Sequence, residues 1–406
     1  MMSMTYLHQM EKLGMVQSYK QYDIILLLGY FRSASAYLSI IRYLSKDYRI
    51  GLLTTDAADS ELQAKTGATH QIYLDLCHRF GAEIITCEGH YQTKILMVQQ
   101  FKYPDKTANR VAQCVDAPIR LGLMALAMAG LEQHDYFLTQ FDIQKVFVPN
   151  RRLLNFLIDH RDARERYSNV LVEEVGLPFD RYPVFPDFKT DWLIAAPTLF
   201  SFRSEPEKHI FLRNVLKLMS NIPSNDKVIY KSHNSSVLDY FTPKFHYGIA
   251  KILLKIPGAE SIISSIHKKI PRLMAKPLEK ILTGILHLKI LKRAKPLIQE
   301  TVFGNISLEA FLPGVKKGVI GGLSNTIWGT LYFKLPFYNC VDNSKRKAIS
   351  ELYKRKSNNL LDLNLRFFGV HYCEGDINRG DRGEGIVADY EREGDIVMSL
   401  RQLLNV

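Results

Sequence analysis

Asp23-Ile-Ile-Leu-Leu-Leu28 is a short, unbroken apolar run, closed by Gly29 and followed by a helical pattern over Ser33–Leu44. A run of that length with no polar alternation is the mark of a strand buried on both faces, as in a parallel sheet covered by helices. Working outward, the same grammar repeats. Tyr48–Thr54 reads as a second strand, Glu61–Phe80 as a helix with a long polar face, Ala82–Cys87 as a third strand and Val111–Leu131 as a further helix. Lys145–Pro149 and Val170–Val175 read as two more strands. Strands separated by helices predict a parallel, doubly wound sheet whose ligands collect at the carboxyl ends of the strands.

Leu177–Phe188 (LPFDRYPVFPDF) interrupts this pattern and reads as a proline-rich linker. Beyond it the alternation restarts with strands at Trp192–Ala196, Lys227–Lys231, Gly318–Gly321 and Phe337–Val341, and helices at Glu205–Met219 and Asn325–Tyr332. The expected class is therefore α/β, with two doubly wound Rossmann-like domains. A first domain is expected over 1–180 and a second over 181–388. A helical insert is expected at about 243–298 and a C-terminal helix over 389–406, returning to the first domain.

The chain has 406 residues, 47% hydrophobic and 23% charged, which is long enough for two domains that each bury a core. The five cysteines are odd in number and form no CxxC pair, so neither a disulfide framework nor a zinc site is expected, and a reducing cytoplasm fits best. The first twenty residues are polar and mixed, so no cleavable signal is expected. Apolar runs such as Leu121–Leu131 fall short of the ~18 to 20 residues that span a bilayer. GxGxxG is absent, which argues against an NAD-type dehydrogenase.

Charge is concentrated in one place. Lys244–Lys295 holds twelve Lys/Arg against Glu260 and Glu279, a balance of +10 in a chain that totals +12. Isoleucine and leucine are interleaved throughout, and Pro257, Pro271, Pro277 and Pro296 are expected to divide the stretch into short helices. A cationic amphipathic insert with few aromatics predicts an anionic membrane surface as partner and no nucleic acid. Packing of the same helices inside the second domain, or in an oligomer interface, is the alternative.

The most specific motifs lie in the second half. Val228-Ile-Tyr-Lys-Ser-His-Asn234 runs a strand into Lys231 and His233. Gly318-Val-Ile-Gly-Gly-Leu-Ser-Asn-Thr326 gives a strand, the glycines Gly321 and Gly322, and a hydroxyl-rich helix start, with Leu335-Pro-Phe337 after it. These segments resemble the nucleotide-sugar half of bacterial GT-B glycosyltransferases. In particular they are similar to the sialyltransferase, polysialyltransferase and capsule Kdo-transferase group. That resemblance implies an acceptor domain over 1–180 and a nucleotide-sugar domain over 181–388 facing a cleft, a CMP-sugar donor, and a phosphate gripped by a Lys-Pro-His-Pro-like segment and a Ser-Ser or Ser-Thr pair. Here the pair is Ser324-Asn325-Thr326 and the His-Pro is His233-Asn234, which leaves UDP- and GDP-sugars open.

Chemistry supplies reasons of its own. Glycosyl transfer must stabilise charge growing on the leaving phosphate, a task for cations, hydroxyls and backbone N–H groups at a helix start. Lys231, Gly321, Gly322, Ser324, Asn325 and Thr326 are the donor-binding candidates, joined by Thr198, Ser201 and Arg203 after the strand Trp192–Ala196 and by Glu309. An ordinary N-cap, a polar turn and a helix-face carboxylate are the plain alternatives for these three groups. His233 suits proton donation to the leaving group, a solvated loop histidine being the alternative. An inverting transferase also needs a base from the first domain. Asp56 and Glu88 stand after its second and third strands, a solvated loop residue being the plainer reading for each taken singly, and Glu88-Gly-His90 resembles the acidic-Gly motif that carries the base in related sialyltransferases. Arg32 and Ser33 after the first strand are acceptor-binding candidates, and Asn150-Arg151-Arg152 reads as a helix start with exposed arginines.

These readings converge on a cytoplasmic, membrane-peripheral, metal-independent glycosyltransferase with no resident cofactor, acting on a glycan or glycolipid acceptor. A nucleotide-sugar epimerase of the same shape and a non-catalytic membrane scaffold are the alternatives.

Overall fold

The structure, a computed structural model, describes residues 19–28, 31–54, 71–99, 103, 105–124, 137–149, 151–159, 164–165, 167–176, 180–196, 205–231, 244–297, 308–322, 326–341, 372–380 and 395–405. The chain divides into two compact units at Asp180 and Arg181, and Asp389–Val406 belongs with the first.

Among the described residues, the first unit holds a parallel sheet of eight strands. These are β1 (Lys20–Leu28), β2 (Ile50–Thr54), β3 (Glu83–Thr86), β4 (Tyr91–Gln99), β5 (Val115–Asp116), β6 (Ile119–Leu123), β7 (Lys145–Val148) and β8 (Leu171–Glu174). They lie in the order β3-β2-β1-β4-β6-β7-β8, with β5 beside β4. The apolar run of β1 forms its centre, with Ile24, Ile25, Leu26 and Leu27 fully buried. Such side chains contribute roughly 1.5–3 kcal/mol each. Helix α1 (Phe31–Leu44) follows β1, and its Tyr37 hydroxyl donates to the carbonyl of Leu27 at 3.2 Å. Complete burial raises that phenol well above its usual range.

The expected helix over Val111–Leu131 is corrected over 115–123, while its part over 125–131 lies outside the described residues. Helix α2 (Asp105–Cys114) ends near where that prediction begins, and Val115–Asp116 and Ile119–Leu123 are strands. Tyr91–Gln99 is a strand that the sequence reading passed over. A continuous apolar run carries no period that separates a buried strand from a buried helix, which is the source of the error. Gly122 shows what the sheet needs there, because a Cβ at this position would meet the Phe137 ring at 2.5 Å. Of the expected helix over 61–80, residues 71–79 are helical, and its earlier part lies outside the described residues.

Helix α3 (Arg151–Asp159) opens with Arg151, whose guanidinium pairs with buried Glu174 at 2.9 Å. Arg151 itself is exposed, in keeping with the reading of a helix start with exposed arginines, and the contact ties it to the end of β8. The C-terminal helix, Asp395–Leu404, buries Ile396, Leu400 and Leu404, one face at four-residue spacing. Arg401 reaches Asp47 at 2.7 Å, and Lys94 donates to the Leu404 carbonyl at 3.2 Å.

The second unit holds a five-stranded parallel sheet ordered β11-β10-β9-β12-β13. Its strands are β9 (Thr190–Ala195), β10 (Val228–Lys231), β11 (Lys295–Pro296), β12 (Val315–Gly321) and β13 (Phe337–Asn339). Helix α4 (Glu205–Ser220) covers it through Phe211, Leu212, Val215 and Leu218. Trp192 donates its indole N–H to Asp226 at 2.9 Å, and Lys317 pairs with the same carboxylate at 2.7 Å. The lysine, and then the indole, hold that carboxyl below its ordinary value.

The insert forms α5 (Lys244–Leu253), α6 (Ala259–Lys269) and α7 (Arg272–Arg293). Pro277 does not divide it, since α7 runs through that residue, whereas Pro257 lies in the turn between α5 and α6 and Pro271 precedes α7. Pro296 sits on the short edge strand β11, where a missing donor is tolerated. Much of α7 is core: Leu286 and Ile290, with Ala294 just after the helix, join the cluster under the sheet, while Ile281, Leu282 and Ile285 meet Ala250 and Ile263 of α5 and α6. Internal packing thus accounts for the apolar side of α7, the alternative weighed against membrane contact.

Candidate functional site in the second sheet

Parallel strands present their carboxyl ends along one edge, and in the second sheet the ends of β9, β10, β12 and β13 meet there. Strand β10 ends at Lys231, in register with Ala195, the last residue of β9. On the other side of β9, Ile320 pairs with Ile194, so β12 reaches the same edge one residue later at Gly321. Gly321 pairs with Asn339, the last residue of β13. Adjacent strands lie about 4.8 Å apart, so the Lys231 and Gly321 backbones, with β9 between them, stand roughly 10 Å apart. That span suits a phosphate held between them.

Each member of the edge is unusual for its place. Lys231 is only 5% exposed, a rare fate for lysine. A Cβ on Gly321 would lie 3.3 Å from the Ala195 carbonyl oxygen and 3.3 Å from the Phe337 ring, so glycine keeps this tip narrow. Gly322 is also buried. Asn339 is wholly buried; its Oδ1 accepts from the Val341 N–H at 3.1 Å, and its Nδ2 has no hydrogen-bond partner among the described residues. The sequence reading missed Asn339, although an amide in the otherwise apolar Phe337-Tyr-Asn-Cys-Val341 was a signal within reach. A buried polar group needs a reason, and a ligand that completes its bonding is one.

Helix α8 (Thr326–Tyr332) begins shortly after Gly322. It packs on the 3₁₀ turn Leu308–Ala310, where half-buried Glu309 lies against Gly329. Glu309 is thereby placed beside the helix that follows the glycine pair, in the same unit as Lys231. Its helix-face reading and its donor-binding reading both remain compatible with that position.

The structure assembles Lys231, Gly321 and Gly322 at one edge, with Glu309 against the neighbouring helix. His233, Ser324, Asn325, Thr198, Ser201, Arg203 and Asp56 lie outside the described residues. Arg32 and Ser33 stand in the first turn of α1 and Thr326 opens α8, with only their backbone described. Glu88 is exposed in the turn after β3, whose last residue Thr86 is in register with Thr54 of β2, itself in register with Leu28 of β1. The Tyr91 hydroxyl donates to the Thr86 carbonyl at 2.8 Å, and a side chain at Gly89 would collide with that ring. Of Glu374–Glu384, a Gly- and charge-rich stretch that reads from sequence as a mobile loop, residues 374–380 are described. Asp376 caps the 3₁₀ turn Ile377–Arg379, and the Cys373 N–H donates to the Asn339 carbonyl at 3.0 Å. Among the described residues, no group of three or more His, Cys, Asp or Glu could hold a metal ion.

No family model matches this sequence, and no curated protein matches it. Among solved structures, the fold is similar to UDP-GlcNAc 2-epimerase of Methanocaldococcus jannaschii, solved with UDP-GlcNAc and UDP, at 12% identity and a TM-score of 0.45 over 95% of this chain and 100% of that one. It is also similar to a glycosyltransferase from Rickettsia africae, at 11% identity and 0.40 over 95% and 99%. A third is the wall teichoic acid polymerase TagF, at 9% and 0.41 over 95% and 90%. The α/β architecture with two parallel sheets stands on the strand pairings themselves, and no residue role passes to this chain through these likenesses.

Proposed function

We propose that the chain transfers a sugar from a nucleotide donor to a glycan or glycolipid acceptor, with the donor phosphate held at the carboxyl edge of the second sheet. The observation that carries this reading is the buried Lys231 separated by a single strand from the Gly321-Gly322 pair. Attack of an acceptor hydroxyl on the anomeric carbon breaks the bond to the donor phosphate oxygen, and the charge left there needs a cation close by. Lys231 supplies it without a metal. Gly321 and Gly322 allow the backbone to approach, and Ser324, Asn325 and Thr326 supply hydroxyl, amide and N–H donors. Asn339 offers a further donor.

In this reading His233 protonates the leaving phosphate, and Asp56 or Glu88 removes the acceptor proton, giving inversion. Thr198, Ser201, Arg203 and Glu309 bind the remainder of the donor, and Arg32 and Ser33 the acceptor. The donor is a CMP-activated acidic sugar and the product a bacterial surface glycan, a capsule or lipopolysaccharide. The same phosphate grip would serve a UDP-sugar transferase or a nucleotide-sugar 2-epimerase.

Thermal unfolding with CMP, UDP and GDP separates the donors, because a ligand that binds only the folded state raises Tm. CMP is expected to stabilise the wild type, and Ser324→Ala and His233→Ala to lose the shift. Stabilisation by UDP alone removes the CMP assignment. UDP-sugar isomerisation with no acceptor present identifies an epimerase, and no shift with any nucleotide removes the transferase reading.

A further inference from the structure

Five large hydrophobic residues of α5, the turn after it and α6 are open to solvent: Phe245 (74%), Ile252 (64%), Ile256, Ile262 (59%) and Ile266. The other exposed large hydrophobics among the described residues are scattered from Tyr19 to Met398, so this cluster needs its own explanation. Phe245, Gly248 and Ile252 recur at three- and four-residue spacing along α5, and Ile262 and Ile266 do so along α6. These side chains are not core residues left over. Each helix already buries a different face against α7, through Ala250 on α5 and Ile263 on α6. Gly248 has no atom within 4 Å of where a Cβ would stand, so the outer side of α5 is open there.

The charge beside this apolar set has one sign. Lys251, Lys255, Lys268 and Lys269 are exposed, whereas the two acids of the stretch are engaged within the insert, Glu260 by Lys289 and Glu279 by His267 at 3.3 Å. Exposed apolar side chains interleaved with exposed lysines suit an interface between acyl chains and anionic headgroups, which asks for no matching shape. A ten-residue helix is about 15 Å long, too short to cross a bilayer. No helix among the described residues is long and apolar enough to do so. The fitting geometry is a helix lying in the plane of the surface.

We propose that α5, its following turn and α6 form a docking face for anionic lipid, with Phe245, Ile252, Ile256, Ile262 and Ile266 inserted below the headgroups and the four exposed lysines set against phosphate. Of the basic stretch 244–295, only this outer part meets the membrane, and α7 is the platform beneath it. The inference goes beyond sugar transfer and holds whether or not a sugar is transferred.

Flotation of the full chain with vesicles tests it, comparing phosphatidylcholine mixed with phosphatidylglycerol against phosphatidylcholine alone. The protein should float with the mixed vesicles, less so as salt rises, and stay behind with the neutral ones. Replacing Lys251 and Lys255 by Gln should lower the partition coefficient about fivefold per lysine. Ile252→Ser with Ile262→Ser should lower it with Tm unchanged, since both residues are exposed. Lys292→Gln, an exposed lysine near the end of α7, should leave it as in the wild type. Absence of wild-type flotation, undiminished flotation of the Ile252/Ile262 variant, or an equal loss in Lys292→Gln would overturn the proposal. So would a dimer that these substitutions dissociate while vesicle binding persists, because the face would then belong to a second copy of the chain. Nucleotide-induced stabilisation is read separately, so failure here leaves the transferase reading to its own test.

Discussion

A Cβ on Gly329 would stand 3.0 Å from Cγ of Glu309, so helix α8 and the 3₁₀ turn carrying Glu309 approach as closely as they do only because residue 329 is glycine. The Leu312 side chain closes the same space at 2.9 Å. Gly329→Val should therefore push α8 away from the turn, at a cost of roughly 1–3 kcal/mol, and weaken nucleotide binding at the glycine pair before it. Gly329→Ala should do less of both. Chemical denaturation and nucleotide titration on the same variants check the ordering, and unchanged nucleotide affinity in Gly329→Val would separate α8 from the site.

Lys231→Met keeps the length and apolar stem of the side chain and removes the ammonium. Because Lys231 is buried at a strand end, the sheet should survive while stabilisation by nucleotide is lost. Thermal unfolding with and without nucleotide reads both quantities. A variant that unfolds without nucleotide at the wild-type temperature and still gains the full shift would remove Lys231 from the phosphate site.

His287 on α7 is buried, with Nε2 3.2 Å from the Tyr230 hydroxyl, and burial lowers its pKa from 6.5 to about 4. Above pH 6.5 the ring is neutral in both folded and unfolded chains, and its contribution is complete. As pH falls from 6.5 towards 4 only the unfolded chain takes up the proton, so stability drops, by on the order of 3 kcal/mol in full. Below about 4 the loss is complete. His287→Gln keeps a polar partner for Tyr230 and should flatten this window. Urea midpoints measured through it for both proteins provide the comparison, and identical slopes would refute the assignment.

Gly122→Ala places a methyl against the Phe137 ring, 2.5 Å from its nearest atom. Overpacking should cost roughly 1–3 kcal/mol without touching the second unit. Denaturation should show the loss, and nucleotide binding by the folded protein should match wild type.

The alternation that begins at Asp23–Leu28 could be read directly, because a strand buried on both faces must be apolar at every position and its length then separates it from a helix. The strands ending at Lys231 and Gly321 were legible for the same reason, and the glycine pair stood out because only a close approach calls for it. Within the expected helix Val111–Leu131, the strands Val115–Asp116 and Ile119–Leu123 were misread because burial removes the periodicity that distinguishes the two structures. Asn339 was passed over because its importance comes from pairing with Gly321, a neighbour in the sheet and eighteen positions away in the chain.

By itself, then, the amino-acid order determined that strands and helices alternate and that the cations gather in one insert, since both are properties of neighbouring residues. Which strand tips share an edge, and which side of each basic helix is used up by packing, only the tertiary structure decided. Lys231 and Gly321 become neighbours across β9 through hydrogen-bonded register, and Ile262 differs from Ile263 only in which of them faces α7. Hydrophobicity is a property of each residue, whereas burial depends on the partner that removes its water.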